Sequence, residues 1–377
     1  MGLYLHWPFC LSKCPYCDFN THAFEDVDHQ RWADAYIKSL RHYAALTQGR
    51  VLNTVFFGGG TPSLMKPEVV RQILQAVRDL WECDQVLEVS MEANPTSVET
   101  DKLIAFSEAG INRVSLGVQA LNDADLTFLG REHSAENALS ALEIARANFD
   151  RVSFDLIYAR PEQSLDDWSN ELSQVLDLKV DHVSAYQLTI ERNTPFYYDH
   201  EQGSFSIPEQ GLAADFYSLT QEILADGGLS AYELSNHARA AKDQCRHNLI
   251  YWHYQDYIGI GPGAHGRLTL NGEKLASCDH AAPDIWLSRV AEHSHGAHPF
   301  EVLADRDQAF ERLMMGLRLV DGIELSDRDW RYLRRDKLDV IVEQGWCEFE
   351  DVHIRLTQEG LLRLNSILPF VFVDQAG

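Results

Sequence analysis

The first 190 residues alternate between two patterns of hydrophobic positions. Short runs rich in β-branched and aromatic residues predict strands, and apolar residues spaced three or four apart predict helices. The predicted strands are residues 3–6, 51–57, 86–92, 113–118, 151–158 and 182–190. The predicted helices are residues 28–47, 67–81, 99–109, 123–129, 135–148 and 164–178. Six strand–helix units indicate an α/β fold with a parallel sheet and right-handed crossovers, and because a closed barrel has eight such units we expect an incomplete, curved barrel.

The pattern changes after residue 191, where the chain becomes polar and rich in turn residues. Later segments predict helices at residues 210–226, 308–319 and 358–365, one or two helices over 327–344, a strand at 230–236 and a hairpin wing at 348–355. Ser326 is suited to cap the helix that follows it. We expect a barrel with its following segment over residues 1–236, a connecting region over 237–300, and a mainly helical, winged-helix-like domain over 301–377.

Composition and charge narrow the class of protein. The 377 residues include 57 acidic and 32 basic side chains, for a net charge of −25. This excess of negative charge argues against binding to nucleic acid or to an anionic membrane surface. No apolar run approaches the roughly 20 residues that span a bilayer, so we do not expect an integral membrane protein.

Cysteine usage indicates the compartment. The chain has seven cysteines, and Cys83, Cys245, Cys278 and Cys347 are widely scattered. An odd, scattered set is not the disulfide framework of a secreted protein. The first ten residues also lack the basic and apolar regions of a signal peptide. We therefore expect a cytoplasmic protein.

The remaining three cysteines form one compact motif. Cys10, Cys14 and Cys17 are spaced C-x3-C-x2-C. Thiolates are preferred ligands of iron–sulfur clusters, and three of them would leave one of four irons open to another ligand. A structural zinc site and three unrelated core cysteines are the alternatives, although zinc sites usually close with four ligands.

Polar residues follow the ends of several predicted strands. A run of Gly58, Gly59, Gly60 and Thr61, followed by proline, comes after the second strand. Glycines allow a ligand to approach the backbone, but such a run also occurs in a simple tight turn. The other strand-end candidates are Glu92, Gln119, Arg131 and Asp155. Each could be an ordinary surface residue, but the ends of adjacent parallel strands converge on one edge of a sheet, where they would form one pocket.

A late segment combines a histidine with aromatic residues. It contains His247, Asn248, Tyr251 and Trp252 in an HNxxYW arrangement. A neutral imidazole can ligate haem iron, and aromatic rings can line a macrocycle. On its chemistry alone, however, the segment favours a packed aromatic cluster around a hydrogen-bonded histidine.

Together, the cysteine loop, the GGGTP run, the MEANP strand end and the barrel-like alternation resemble the radical S-adenosylmethionine (SAM) superfamily. Within it the chain resembles the oxygen-independent coproporphyrinogen III oxidase-like branch, and most closely the HemW-type haem chaperones, nearly from end to end. The resemblance implies a (β/α)6 three-quarter barrel in which Cys10, Cys14 and Cys17 hold a 4Fe–4S cluster and SAM binds its open iron. The residues that it implies for cofactor binding are Tyr4, Tyr16, Gly58, Gly59, Gly60, Thr61, Glu92, Gln119, Arg131 and Asp155 for SAM, and His247, Asn248, Tyr251 and Trp252 for haem.

Two departures from the family pattern bear on function. The oxidases carry a fourth cysteine where this chain has Phe19, which argues against coproporphyrinogen decarboxylation. Ala159 and Arg160 stand where the family usually has Gly-Leu, which adds a bulky charge near the Asp155 strand end.

The resemblance therefore implies a haem chaperone that passes haem to a membrane haem protein such as a respiratory enzyme, and it also implies a homodimer. It leaves open whether SAM is cleaved during transfer. The competing functions are an oxygen-independent coproporphyrinogen III oxidase and a non-enzymatic scaffold with a structural metal.

Overall fold

The computed structural model describes residues 1–23 and 26–373 of the chain, apart from the side chains of residues 97 and 98. The strands of the first half are β1 (Gly2–Trp7), β2 (Phe9–Cys10), β3 (His22–Ala23), β4 (Val51–Gly59), β5 (Glu82–Ala93), β6 (Arg113–Gln119), β7 (Arg151–Tyr158) and β8 (His182–Gln187). The strands of the second half are β9 (Ser230–Ala231), β10 (Asn236–Ala238), β11 (Tyr257–Ile260), β12 (His265–Leu270), β13 (Glu273–Cys278), β14 (Glu301–Val302), β15 (Ile323–Glu324), β16 (Cys347–Glu350) and β17 (His353–Leu356).

Helices separate most of the long strands. Those of the first half are α1 (His29–Leu46), α2 (Pro67–Leu80), α3 (Ser97–Thr100), α4 (Leu103–Ala109), α5 (Asp123–Phe128), α6 (Ala135–Asn148), α7 (Leu165–Asp177) and α8 (Pro195–Glu201). Those of the second half are α9 (Gln210–Asp226), α10 (Arg246–Trp252), α11 (Pro283–His293), α12 (Asp305–Gly316), α13 (Asp327–Trp330), α14 (Arg335–Glu343), α15 (Gln358–Leu361) and α16 (Leu364–Val371). None of the helices in the described ranges is long and apolar enough to cross a bilayer.

A single 12-stranded sheet forms the centre of the molecule, in the order β14-β13-β12-β11-β1-β4-β5-β6-β7-β8-β10-β9. The six predicted strands pair in parallel and in chain order from β1 to β8. This arrangement confirms the predicted α/β class and partial barrel. The parallel register pairs Trp7 of β1 with Gly59 of β4, which brings the start of the cysteine loop beside the glycine run.

The segment from 237 to 300, which the sequence suggested as a connecting region, contributes to the same sheet. Strand β11 pairs in parallel with the free edge of β1, and β12 and β13 continue the sheet as an antiparallel hairpin. The short Tyr-Ile-Gly-Ile run of β11 is too brief to be separated from loop by periodicity alone. Its partner is more than 250 residues away in the chain, so only the tertiary fold reveals it.

Helix α1 shows why the outer layer packs as it does. Trp32, Tyr36, Leu40 and Tyr43 recur at helical spacing and are all buried against the sheet. Full burial of a large apolar side chain stabilises a fold by roughly 1.5–3 kcal/mol. Trp32 also stacks on Trp286 of α11 with ring centroids 5.3 Å apart, so helices α1 and α11 share one hydrophobic core.

The C-terminal residues have a separate hydrophobic core, built from α12, α14, α16 and the β16–β17 hairpin. Ser326 caps α13 through a reciprocal capping box with Asp329, as the sequence predicted. Several predicted elements differ in detail. The helical segment expected over 327–344 forms the two helices α13 and α14, the helix expected over 358–365 is divided into α15 and α16, and the strand expected over 182–190 ends at Gln187. The single helix expected over 99–109 is divided into α3 and α4, and the strand expected over 230–236 is replaced by the short β9 and β10.

Candidate metal and cofactor site

The three cysteines of the motif lie at the carboxyl edge of the parallel sheet. Cys10 is the last residue of β2, and a turn closed by the Cys17 N–H and the Cys14 carbonyl at 3.1 Å presents the other two. All three are free thiols that border one cavity. Within residues 1–23 and 26–373, no three His, Cys, Asp or Glu side chains are gathered closely enough to hold one metal ion. The loop presents its three thiols to the cavity.

Two of the sulfur atoms receive hydrogen bonds from cavity residues. Arg131 Nη1 donates to Cys14 Sγ at 3.3 Å, and Thr61 Oγ1 donates to Cys10 Sγ at 3.4 Å. Burial raises the pKa of Cys10 to about 11, although the Thr61 hydroxyl opposes this. Donors of this kind stabilise thiolate charge, so the site fits an anionic iron–sulfur cluster whose binding would release the thiol protons.

The cavity has a volume of about 520 Å³, and the cysteine loop forms part of its wall. That volume lies within the range of small-molecule sites. The sequence-predicted residues that border it are Tyr4, Cys10, Cys14, Tyr16, Cys17, Gly59, Gly60, Thr61, Glu92, Gln119, Arg131, Asp155, His247, Asn248 and Tyr251. The structure therefore brings together residues that the sequence could place only on separate strand ends.

Two predicted residues do not border the cavity. Gly58 faces the rings of Phe56 and Tyr4, and a Cβ there would come within 2.9 Å of both. Trp252 lies at the end of α10, where its ring packs against the Arg318 guanidinium at 4.4 Å. Gly58 is thus required for packing between strands, and Trp252 contacts the C-terminal part of the chain.

The remaining glycines of the run have a structural reason as well. Gly59 has a φ of 113° and donates its N–H to Glu92 Oε2 at 3.1 Å. A Cβ on Gly60 would meet the Phe9 carbonyl oxygen at 2.6 Å. Close contact between the glycine run and the β1–β2 segment therefore fixes the cysteine loop over the cavity.

The two predicted carboxylates lie on the cavity wall and are partly buried. Burial raises the pKa of Glu92 to about 8, against the opposing hydrogen bond from Gly59. Burial also raises the pKa of Asp155, whose oxygens accept hydrogen bonds from Ser115 at 2.7 Å and Ser153 at 2.8 Å. A ligand ammonium group beside either carboxyl would favour its ionised form, which accepts hydrogen bonds from ammonium and hydroxyl donors.

Arg131 connects the cysteine loop to the strand ends. Its Nη2 donates to the Gly117 carbonyl at 2.9 Å and to Asn94 Oδ1, and its Nη1 also reaches the Tyr16 hydroxyl at 3.4 Å. Gln119 lies nearby with a φ of 71°, and its buried Oε1 has no hydrogen-bond partner among the described residues. An unsatisfied buried acceptor on the wall of a cavity indicates a site for a donor from a ligand.

His247 is held in a packed cluster, the arrangement that the chemistry of its segment favoured. Its Nδ1 is 2.7 Å from Thr54 Oγ1, and its Nε2 is 2.7 Å from the Tyr251 hydroxyl. The ring also stacks on Phe56, with centroids 5.0 Å apart. Burial lowers the pKa of His247 to about 3, so the ring is neutral and both nitrogens are engaged.

The sequence reasoning missed several residues that border the cavity, namely Asn94, Arg113, Ser115, Ser184 and Tyr186. The missed strand residues share faces with predicted ones, because residues 113, 115, 117 and 119 alternate along β6 and residues 184 and 186 along β8. The two-residue period of a strand was the signal that would have found them.

Arg160 does not intrude on the cavity. It is 1% exposed and turns its guanidinium to Glu171 at 2.6 Å and Asp125 at 2.9 Å. Ala159 before it has a φ of 57°, where the family's glycine would be unstrained. The departure from the family pattern therefore changes the support behind β7 and leaves the cavity wall intact.

Comparison with known proteins agrees with this architecture. The radical SAM superfamily matches residues 4–174, and the HemN C-terminal domain matches residues 303–363. The chain is 35% identical to "Radical S-adenosyl methionine domain-containing protein 1, mitochondrial" of Danio rerio, over 99% of this chain and 87% of that protein. It is also 35% identical to "Heme chaperone HemW" of Escherichia coli, over 99% of this chain and 98% of the relative.

A solved structure has a similar fold over almost the whole chain. It is coproporphyrinogen III oxidase (HemN) of Escherichia coli, with a TM-score of 0.81 over 98% of this chain and 89% of that one. The sequence identity is 21%. At that level the likeness extends to the fold alone.

Proposed function

Because the chain belongs to the radical SAM superfamily, in the group that includes the HemW haem chaperones, we propose that it binds a 4Fe–4S cluster, SAM and haem and delivers haem to a membrane haem protein. The free cysteines are consistent with a reducing compartment, and the cytoplasm is the proposed one.

One observation carries the cofactor part of the proposal. The thiols of Cys10, Cys14 and Cys17 border a single cavity, and neighbouring side chains donate hydrogen bonds to two of them. Three thiolate ligands match a cluster with one open iron. Hydrogen bonds from Arg131 and Thr61 to the sulfur atoms would stabilise the negative charge of such a cluster.

The chain's own residues would then divide the work of binding. Arg131 would pair with the cysteine thiolates and with a ligand carboxylate, and ionised Glu92 and Asp155 would accept hydrogen bonds from ammonium or hydroxyl groups. The unpaired Oε1 of Gln119 would accept a hydrogen bond from an N–H or O–H group of the ligand. When bound, a reduced 4Fe–4S cluster supplies the electron for reductive cleavage of SAM. The walls of the barrel would exclude water from that chemistry.

The haem part of the proposal is supported by the relatives. The names of four relatives at 30–35% identity, each covering at least 98% of this chain, include "Heme chaperone HemW". Tyr251 and Asn248 border the cavity beside the packed His247, so this segment offers polar and aromatic surface without a free imidazole. Haem binding is therefore proposed without His247 as the ligand of the iron.

The test uses protein reconstituted without oxygen from ferrous iron and sulfide. We expect the broad visible absorption of an iron–sulfur cluster, and we expect Cys14→Ala to lose it. Cys83→Ala is the matched control, because Cys83 is a free thiol far from the motif in sequence. Equal iron content in the two variants would contradict the cluster assignment.

Haem transfer is measured separately. Haem-loaded protein is mixed with membrane vesicles that contain a respiratory enzyme lacking its haem, and recovery of that enzyme's activity is followed. We expect faster recovery than with an equal amount of free haem plus serum albumin. If the protein binds no haem, or if albumin performs as well, the chaperone function is wrong.

Product analysis separates this function from that of an oxidase. Phe19 replaces the fourth cysteine of the oxidases, and its side chain is 57% exposed beside the cysteine loop. We expect the reconstituted protein to leave coproporphyrinogen III unchanged under reducing conditions with SAM. Formation of protoporphyrinogen would favour the oxidase.

A further inference from the structure

One buried cation at the cavity has no hydrogen-bond partner. Arg113 is the first residue of β6, is 2% exposed and borders the cavity. Its guanidinium makes no hydrogen bond and no ion pair within residues 1–23 and 26–373, and its Nε is fully buried. Buried charged groups are nearly always paired, so an unpaired guanidinium at a cavity wall calls for an explanation.

The acidic groups around Arg113 accept their hydrogen bonds from other donors. Glu88 does not border the cavity and accepts from Arg151 at 2.7 Å and from the N–H groups of Arg246 and His247 at 3.0 and 2.9 Å. Asp155 accepts from two serine hydroxyls. These carboxylates stabilise the charge of Arg113 at a distance, but its N–H donors remain available to a ligand in the cavity.

The position of Arg113 sets it apart from the cysteine end. Gln119, at the other end of β6, lies on the same strand face six residues away, which corresponds to about 20 Å along a strand. Arg131 occupies the cysteine end through its bond to Cys14. The cavity therefore has one arginine at each end.

Aromatic side chains form part of the cavity wall. Tyr4, Phe56, Tyr186 and Tyr251 all border the cavity. Aromatic walls favour a flat apolar ligand, and a guanidinium binds carboxylates with two parallel hydrogen bonds. The combination suits a planar molecule that carries a carboxylate.

We propose that Arg113 binds a propionate carboxylate of haem at the inner end of the cavity. The assignment rests on the proposed haem-binding function and adds the location and the recognised group. It requires no free imidazole, which agrees with the engaged state of His247.

The test compares haem with its dimethyl ester, in which both propionates lose their charge. Affinities are measured by absorbance titration of the reconstituted protein. Hydrogen bonds to a charged group account for about tenfold or more in affinity, so we expect wild type to prefer haem over the ester by at least that factor. Arg113→Gln should reduce the ratio to near one, and Arg113→Lys should retain part of it because lysine keeps the charge but not the planar fork.

Arg151→Gln is the matched control. Arg151 pairs with the same Glu88 but does not border the cavity, so its loss should lower stability and leave the haem-to-ester ratio unchanged. The ratio does not depend on the fraction of folded protein, which separates binding from stability. SAM affinity is measured in the same variants, because Glu92 and Asp155, which the proposed function assigns to SAM, lie within electrostatic range of Arg113. A larger loss for haem than for SAM in Arg113→Gln is the expected result.

The outcomes are distinct. If wild type binds haem and Arg113→Gln keeps the preference, or if Arg151→Gln loses it equally, the assignment of Arg113 is wrong while the chaperone function stands. If Arg113→Gln weakens SAM and not haem, the site belongs to SAM and the assignment is also wrong. If wild type binds no haem, both proposals fail.

Discussion

His247 illustrates how a residue with the right chemistry can be committed to packing. Its two ring nitrogens are hydrogen-bonded to Thr54 and Tyr251, and its backbone N–H is bonded to Glu88. These partners come from three separate elements, so the histidine joins α10 to β4 and β5. Haem ligation by this ring would require at least one of those bonds to break.

Replacing His247 should therefore affect stability more than haem affinity. His247→Ala leaves two buried hydroxyls unpaired and opens a cavity, so we expect the free energy of unfolding to fall by about 2–4 kcal/mol. Chemical denaturation measures this, with Asn248→Ala as the neighbouring control. We expect the haem affinity of the folded variant to stay within about threefold of wild type, because the ring is not a ligand of the iron. Loss of an iron–imidazole bond would lower the affinity by more than the loss of one hydrogen bond does. Loss of haem binding at unchanged stability would show that the ring ligates iron.

At the scale of secondary structure, the loops behind the strand ends are held by buried charge. Arg160 follows β7, while Glu171 lies on α7 and Asp125 on α5. The guanidinium also donates to the Ile157 carbonyl at 3.0 Å. This network fixes the turn after β7. That strand carries Asp155, which lies on the cavity wall.

The network predicts a strongly coupled pair. Arg160→Leu restores the residue type usual in the family but leaves Glu171 buried without its partner, so we expect a loss of about 3–5 kcal/mol in unfolding free energy. The double variant Arg160→Leu with Glu171→Leu should recover most of that loss, since no uncompensated charge remains. A double-mutant cycle by urea denaturation measures the coupling. Additive effects of the two changes would contradict it.

A second buried acid connects the added strands to α11. Asp279 accepts from Trp286 Nε1 at 2.6 Å and from the Gly261 N–H at 3.0 Å. Burial raises its pKa to about 7, although both hydrogen bonds oppose the shift. In the unfolded chain the group loses its proton near its ordinary value of 3.8.

The pH dependence of stability follows from that difference. Between pH 4 and 7 the unfolded state has released the Asp279 proton while the folded state keeps it, so the free energy of unfolding falls as the pH rises through this window. We expect Asp279→Asn to remove a slope that amounts to on the order of a few kcal/mol across the window. Urea denaturation at pH 4.5, 5.5 and 6.5 tests this. Parallel pH profiles for wild type and variant would contradict the buried, protonated state.

The elements differ in how well sequence predicts them, for physical reasons. Helices α6 and α9 and strand β7 match their predicted bounds, because each has strong periodicity and clear end signals. Strand β11 was missed because four residues carry too little pattern and its partner is distant in sequence. In the same way, cysteine spacing predicts a ligand loop from local chemistry, whereas the packing of His247 and the isolation of Arg113 depend on side chains from other elements.

At the scale of the whole molecule, two hydrophobic cores are joined by polar contacts. The barrel region and the C-terminal region each have their own buried cluster. Arg318 of the C-terminal region pairs with the buried Glu233 at 3.2 Å, and the Val320 N–H donates to the Tyr232 carbonyl. Contacts of this kind fix how the C-terminal region sits against the sheet.

Glu311 on α12 makes the most extensive of these contacts. It accepts from Arg267 Nε at 2.9 Å and Nη2 at 2.7 Å, and from the Tyr254 hydroxyl at 2.7 Å. Glu311→Gln keeps the shape but turns an amide toward these donors, so we expect a loss of about 1–3 kcal/mol and earlier unfolding of the C-terminal core. Calorimetry should then resolve two transitions. Arg355→Gln is the control, because its pair with Glu348 is about half exposed and should contribute less than about 1 kcal/mol. If Glu311→Gln unfolds in one transition at the wild-type temperature, this contact does not couple the two cores.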